Sequence, residues 1–166
     1  MRPGWLSSAR TGWSGGSFVP PPPIRELRDL TRARAMMTRE RGREIQRLEK
    51  LLEDAGIKLS SVASDITGVS GRLMLEALVK GQRDPAVLAD LAKRRLRAKI
   101  PALTEALTGR FGEHHAFLAR MHLDVIDQRT RQIAELSARI EVVMEPFRSF
   151  ADLIRTIPGS GHGSLR

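Results

Sequence analysis

The chain has 166 residues, length for one domain, and a formal net charge of +9. It contains no cysteine and no tyrosine, which excludes disulfides and thiolate metal sites and fits a reducing compartment. No stretch has the apolar length of a signal core or a membrane span, so a cytoplasmic protein with no membrane partner is expected.

Aromatic residues make up 4% of the chain, and the apolar set is Leu, Ile, Val, Ala and Met, the composition of helices packed on helices. Residues 1–23 hold four of the glycines and the run Pro20-Pro21-Pro22-Pro23. This stretch is expected to be disordered, with the proline run in polyproline II and outside any helix.

A helix is predicted from about Ile24. Alternating steps of three and four give Ile24, Leu27, Thr31, Arg34, Thr38, Arg41, Ile45, Leu48 and Leu52, a seam apolar at both ends and polar in its middle. Glu40 with Arg43, and Glu44 with Arg47, are spaced as i,i+3 pairs on the surface. Ala55-Gly56 closes the helix, glycine standing in the usual C-terminal place.

Several short helices are predicted between Ile57 and Gly112. Ser60 and Asp65 are candidate caps, and Ser70 is a candidate cap for a helix over Arg72–Lys80. Asp84-Pro85 is a strong start signal, the aspartate capping and the proline taking the first helical position. Pro101 opens another piece through Leu107, closed by Gly109. Residues 81–112 carry seven basic and three acidic side chains, the largest local excess in the chain. It centres on Lys93-Arg94-Arg95-Leu96-Arg97-Ala98-Lys99, the electrostatic footprint of phosphate contacts. The candidate nucleic-acid-binding residues are Arg83, Lys93, Arg94, Arg95, Arg97, Lys99 and Arg110.

A second long helix is predicted from about Glu113 to Glu145, with a seam at Ile126, Arg129, Ile133, Leu136, Ile140, Val143 and Phe147. After Pro146 a separate short helix, Phe147 to Ile154, is expected. The two long helices are built to pair, antiparallel within one chain, across a dimer, or both. The fold class is therefore all-α: two long helices as an antiparallel coiled-coil-like pair, a cluster of short helices between them, and a disordered N-terminus and C-terminal tail.

No constellation able to do chemistry stands out. His114, His115 and His122 do not share a metal-binding face, since His115 and His122 lie about 10 Å apart along the axis. They read as surface or interface histidines. Gly68-Val69-Ser70-Gly71-Arg72 has no base to activate its serine and reads as a turn before a helix. Asp124 and Asp127 sit among Arg120, Arg129 and Arg131 and read as solvated ion pairs. Ile157-Pro158-Gly159-Ser160-Gly161 has the look of a phosphate-approaching hairpin whose second helix is missing. No metal site or catalytic residue is assigned.

Ser17-Phe18-Val19-Pro20-Pro21, then Ile24-Arg25-Glu26-Leu27-Arg28-Asp29-Leu30-Thr31-Arg32, Arg39-Glu40-Arg41, and Arg47 through Ser60 together carry a family resemblance. Gly68-Val69-Ser70-Gly71, Leu103 through Gly109 and Thr156-Ile157-Pro158-Gly159 extend it to about four-fifths of the chain. The chain resembles the DEDD-type insertion-sequence transposases, RNA-guided serine recombinases of bacterial mobile elements. The resemblance implies a first domain with a metal-binding acidic tetrad, a coiled-coil region for subunit association, and a last domain with a nucleophilic serine. The chain matches the tail of the first domain, the middle region over residues 24–147, and the start of the last domain over 148–166. Residues 1–16 contain no Asp or Glu, so the tetrad has no counterpart here, and Ser160 and Ser164 do not match the serine.

The expectation is a transposase-family protein of DNA transposition and recombination, a truncated copy without catalytic activity of its own. The family uses Mg²⁺; no cofactor is expected in this chain. The alternative is a basic helical dimerisation and nucleic-acid-binding module that modulates an intact transposase. Expected partners are DNA, structured RNA and a second copy through the long helices.

Overall fold

The computed structural model describes residues 21–156. They form α1 (Pro22–Asp54), α2 (Val69–Val79), α3 (Pro85–Asp90), α4 (Ile100–Ala106) and α5 (Glu113–Thr156), with 3-10 turns at Leu59–Ser61 and Arg94–Lys99. The described residues hold no strand, in keeping with the all-α expectation. No helix among them is long and apolar enough to cross a membrane. Residues 1–20 and 157–166, with the expected N-terminal disorder and the Ile157–Gly161 hairpin, lie outside the described residues.

α1 begins earlier than the proline run suggests. Pro21 is extended, but Pro22 and Pro23 occupy the first turn of the helix rather than polyproline II. The first turn needs no N–H donors, and proline's fixed φ already suits a helix. At the other end Gly56 takes φ +79, and the amides of Gly56 and Ile57 bond to the carbonyls of Glu53 and Leu52. This closes α1 with a Schellman turn whose apolar contact is Leu52 with Ile57, both buried. α2 ends the same way, with Gly81 at φ +103 and Gln82 N–H bonded to Ala77 O.

α1 and α5 lie side by side and antiparallel: Glu26 meets Arg139, Glu40 meets Arg129, Arg41 meets Thr130 and Glu44 meets His122. Where α1 ends and α5 begins, the short helices pack round them. Leu48, Leu52, Leu59, Ile66, Met74, Leu75, Leu78, Leu88, Leu103, Leu107, Leu123 and Ile126 make one continuous core there. The loops are knitted by Lys58 N–H to Ala106 O and Arg110 N–H to Ala55 O. Gly109 permits that crossing, since a Cβ on it would stand 2.5 Å from Ala55 O.

Away from this head the long pair is more polar. Ile140 is buried, Leu27, Met37, Ile133 and Leu136 are half-buried, and charged groups do much of the pairing. Arg129 Nε stands 3.0 Å from Glu40 Oε2; both atoms are buried, and they face each other as an ion pair. The expected Glu40–Arg43 pair gives way to this cross-helix partner, while Glu44–Arg47 forms at 2.6 Å.

Glu44 is 8% exposed, unusual for a carboxylate. Arg47 donates to one oxygen and His122 Nδ1 lies 2.6 Å from the other. An ionised carboxylate only accepts, so Nδ1 carries the hydrogen. Burial works to raise the Glu44 pKa, but the hydrogen bonds from His122 and Arg47, with their charges, hold it below 4.5. On the α2 side, Arg72 grips both oxygens of Asp127 at 2.7 Å and reaches Glu76 as well, which holds its own pKa up.

α5 is continuous through Pro146, where a break and a separate short helix are expected. Proline there removes one bond to the carbonyl of Val142, an exposed position where water can substitute. The Ser149 hydroxyl bonds to the carbonyls of Glu145 and Pro146 and supports the turn. Other start signals also move. α2 starts at Val69 with Gly68 as its N-cap, and neither Ser70 nor Ser60 caps a helix. Asp65 makes a turn with Thr67 instead, and Asp84 does cap α3 through Ala86 N–H.

Two outcomes test this packing. Gly42 lies in α1 with open space where a Cβ would go, so Gly42→Ala raises stability by about 1 kcal/mol. A Cβ on Gly71 would stand 2.2 Å from Ile66 O, so Gly71→Ala lowers stability by about 3 kcal/mol. Urea unfolding followed by circular dichroism reads both.

Because the folded Glu44 carboxyl titrates below 4.5, its contribution is whole above that pH and drains away as pH falls through the folded value. Stability of Glu44→Gln therefore falls less steeply than wild type on acidification below about pH 4.5, measured by urea midpoints across pH. Equal slopes would remove this carboxylate from the account.

Candidate nucleic-acid interface

The basic segment is displayed by two apolar anchors. Ala92 is fully buried and Leu96 packs against the core, so Lys93, Arg94, Arg95, Arg97 and Lys99 are left on the surface. The chain there winds as a 3-10 turn rather than an α-helix. Arg94 takes φ +50, the left-handed region that costs a side chain of this kind about 1 kcal/mol. Lys93 N–H donates to Ser70 Oγ at 2.8 Å, which fastens this turn to the start of α2.

Between them runs an open groove of about 500 Å³, lined by Ala63, Ser64, Asp65, Gly68–Gly71, Lys93, Arg94 and Leu96. One wall is the N-terminus of α2, which has no side-chain cap. The amides of Val69, Ser70 and Gly71 bond to no group among the described residues. Such a helix start carries partial positive charge and spare donors. The cations Lys93 and Arg94 form the opposite wall. Asp65 is the carboxylate of the groove; the Thr67 hydroxyl and the amides of Thr67 and Gly68 hold its pKa down against the effect of burial.

The seven candidate cations occupy different settings. Lys93 and Arg94 line the groove, and Arg95 stands exposed beside it. Among the described residues the side chains of Arg94 and Arg95 have no hydrogen-bond or ion-pair partner. Arg97 turns back to the carbonyls of Asp90 and Ala92 and to the Asp90 carboxylate at 3.4 Å. Lys99 reaches Val62 O at 3.2 Å. Arg83 is held by Leu78 O and Gln82 O and lies over the Phe111 ring, on another part of the surface. Arg110 borders a shallow hollow with Glu53 and Asp54, apart from the groove.

In sequence Gly68–Gly71 reads as a turn; in the structure it forms the other wall of the groove. The available signal was the missing carboxylate: no Asp or Glu follows within the first turn of α2 to close its start. His115, in contrast, closes α5. Its Nδ1 accepts Gly112 N–H at 3.0 Å, as the third residue of a capping box does. Burial, and the neighbouring His114, hold its pKa down, so it serves as an acceptor in its neutral form. His122 is an interface histidine on Glu44, and Asp127 pairs with Arg72. No group of three or more His, Cys, Asp or Glu side chains among the described residues could hold a metal ion.

Comparison of the chain with protein-family models, curated proteins and solved structures returns no match.

Arg94→Gly separates a binding residue from a structural one. Glycine accepts φ +50 without strain, so the variant is as stable as wild type or up to about 1 kcal/mol more stable, while polyanion affinity falls. Thermal unfolding paired with heparin-column retention reads the two effects; reduced stability with unchanged retention would assign Arg94 a folding role.

Proposed function

We propose that this chain is a helical nucleic-acid-binding and subunit-association segment of transposase type, related to the DEDD-type insertion-sequence enzymes, without phosphodiester chemistry of its own. The observation that carries the binding role is the groove: Lys93 and unpartnered Arg94 face an uncapped helix N-terminus that offers three spare amides, with Arg95 exposed beside them. A backbone phosphate satisfies both walls at once, by charge from one and by directed N–H donors from the other. Arg97 and Lys99, tethered to nearby carbonyls, reinforce the local field. Arg83 and Arg110 stand apart and belong to a wider contact or to none.

The ligand is DNA or structured RNA, and the contacts are to phosphate, so binding is sequence-tolerant and strongly salt-dependent. The association role rests on the long helices. α1 and α5 make a coiled-coil-like pair, and each leaves apolar side chains in solvent, Met36 on α1 and Val142 on α5, that a second copy can cover. The transposase relationship rests on the quoted sequence stretches. Their seam residues fall on α1 and their Leu103–Gly109 segment on α4 and the turn after it.

Titration of the chain with a DNA duplex and with an RNA hairpin, from about 50 to about 200 mM salt, tests the proposal. Affinity for at least one falls steeply with salt, and changing Arg94 and Arg95 to Ala lowers the log–log slope by roughly 1.8, about 0.9 for each phosphate no longer neutralised. A slope unchanged in the double variant would defeat the assignment of the groove.

A further inference from the structure

A second feature lies away from that groove, where the end of α2 meets the first two turns of α5. Phe117 stands 65% exposed there. On α5 the buried face is Ala119, Leu123 and Ile126, and Phe117 points off it. A large ring on a solvent face contributes nothing to the core, and aromatic residues are scarce in this chain. Phe111, six residues earlier, is buried, so the exposure of Phe117 reflects its place on the helix.

The ring borders a cleft of about 570 Å³, a size that takes a planar heterocycle. Three cations share that lining: Lys80, Arg83 and Arg120, against the single carboxylate of Glu113. Lys80 and Arg120 are exposed and pair with no group among the described residues. Arg83 is pre-organised. Its Nη1 is held by Leu78 O at 2.5 Å and Gln82 O at 2.8 Å, with the guanidinium 5.1 Å from the centre of the Phe111 ring. Nε and Nη2 remain uncommitted among the described residues. Gly81, at φ +103, has no atom within 4 Å of where a Cβ would be, so the rim between Lys80 and Arg83 is open.

We infer that this cleft takes an unpaired nucleobase of a single strand, stacked on Phe117, with the flanking phosphates on Lys80, Arg83 and Arg120. The inference rests on the nucleic-acid reading above and adds the strand state of the ligand. A base inside a duplex hides both faces in its own stack, whereas a single strand presents them. A ring flanked by cations is the pairing that single-strand binders use, and it accepts any base because every base has a π-face. The groove beside α2 reads phosphate alone; this cleft adds a surface that tells open strand from closed.

The test uses the full chain and equilibrium anisotropy with labelled oligouridine, oligodeoxythymidine and a duplex at one ionic strength. Phe117→Leu keeps apolar bulk and removes the ring; it weakens at least one single-stranded probe about tenfold and leaves the duplex unaffected. Phe117→Tyr keeps the ring and holds wild-type affinity. Arg120→Ala weakens the same single-stranded probe. Single-strand affinity unchanged in Phe117→Leu, with duplex binding still lost on changing Arg94 and Arg95 to Ala, overturns the cleft and leaves the groove standing. Absence of binding to all three probes overturns both. A Phe117→Leu variant whose only change is in self-association, read by sedimentation, makes the ring a protein contact and also overturns the cleft.

Discussion

A carboxylate buried between two helices needs its partners in place, and here they come from both sides. Glu44 of α1 sits between Arg47 on its own helix and His122 on α5. Sliding α5 by one turn would take His122 away and leave one oxygen of a buried carboxylate without its hydrogen bond, a loss of about 1–3 kcal/mol, while Arg47 on α1 would stay in place. An apolar seam of leucines tolerates such a slip far better, because one leucine replaces another. Glu44, with the Glu40–Arg129 and Glu26–Arg139 pairs further along, thus selects one alignment of the long helices. That alignment decides which residues of α5 face α2 and so whether Arg72 can grip Asp127.

The head inherits this arrangement. With α5 in place, Ala119, Leu123 and Ile126 meet the short helices, and Leu48 and Leu52 of α1 close the other side. The short helices could not bury their apolar faces alone; α3 has only six residues. Held on that core, Ala92 and Leu96 turn the basic segment outward and Ser70 ties it to α2. The groove is thus a tertiary product. Its helix-start amides come from residues 69–71 and its lining cations are Lys93 and Arg94, two stretches that only the fold brings together.

Much of the architecture was legible because it depends on periodicity and punctuation. The seam through Ile45, Leu48 and Leu52, the glycine stop at Gly56, and the Asp84-Pro85 start are local rules that tertiary packing left intact. The boundaries misplaced at prolines share one cause, a backbone position that can do without the missing N–H bond. Pro22 and Pro23 stand where no N–H is needed, and Pro146 stands where water replaces the missing bond. Partner choice was the least legible. Glu40 passes over Arg43, three residues away, for Arg129 on α5, and spacing cannot reveal that. The same limit applies to the interface: a run of cations is visible in sequence, but which of them remain unpaired depends on carbonyls such as Ala92 O and Val62 O that only the fold brings near.

The alignment of α1 with α5 can be measured directly. Spin labels at exposed positions 32 and 135, one on each long helix and outside the cross-helix ion pairs, report the separation of the two helices by pulsed dipolar spectroscopy. A single narrow distribution, set by helix axes about 10 Å apart plus the label arms, is the expected result. Two populations, or a broad one centred far beyond that reach, would contradict a single pinned alignment and with it the placement of the head.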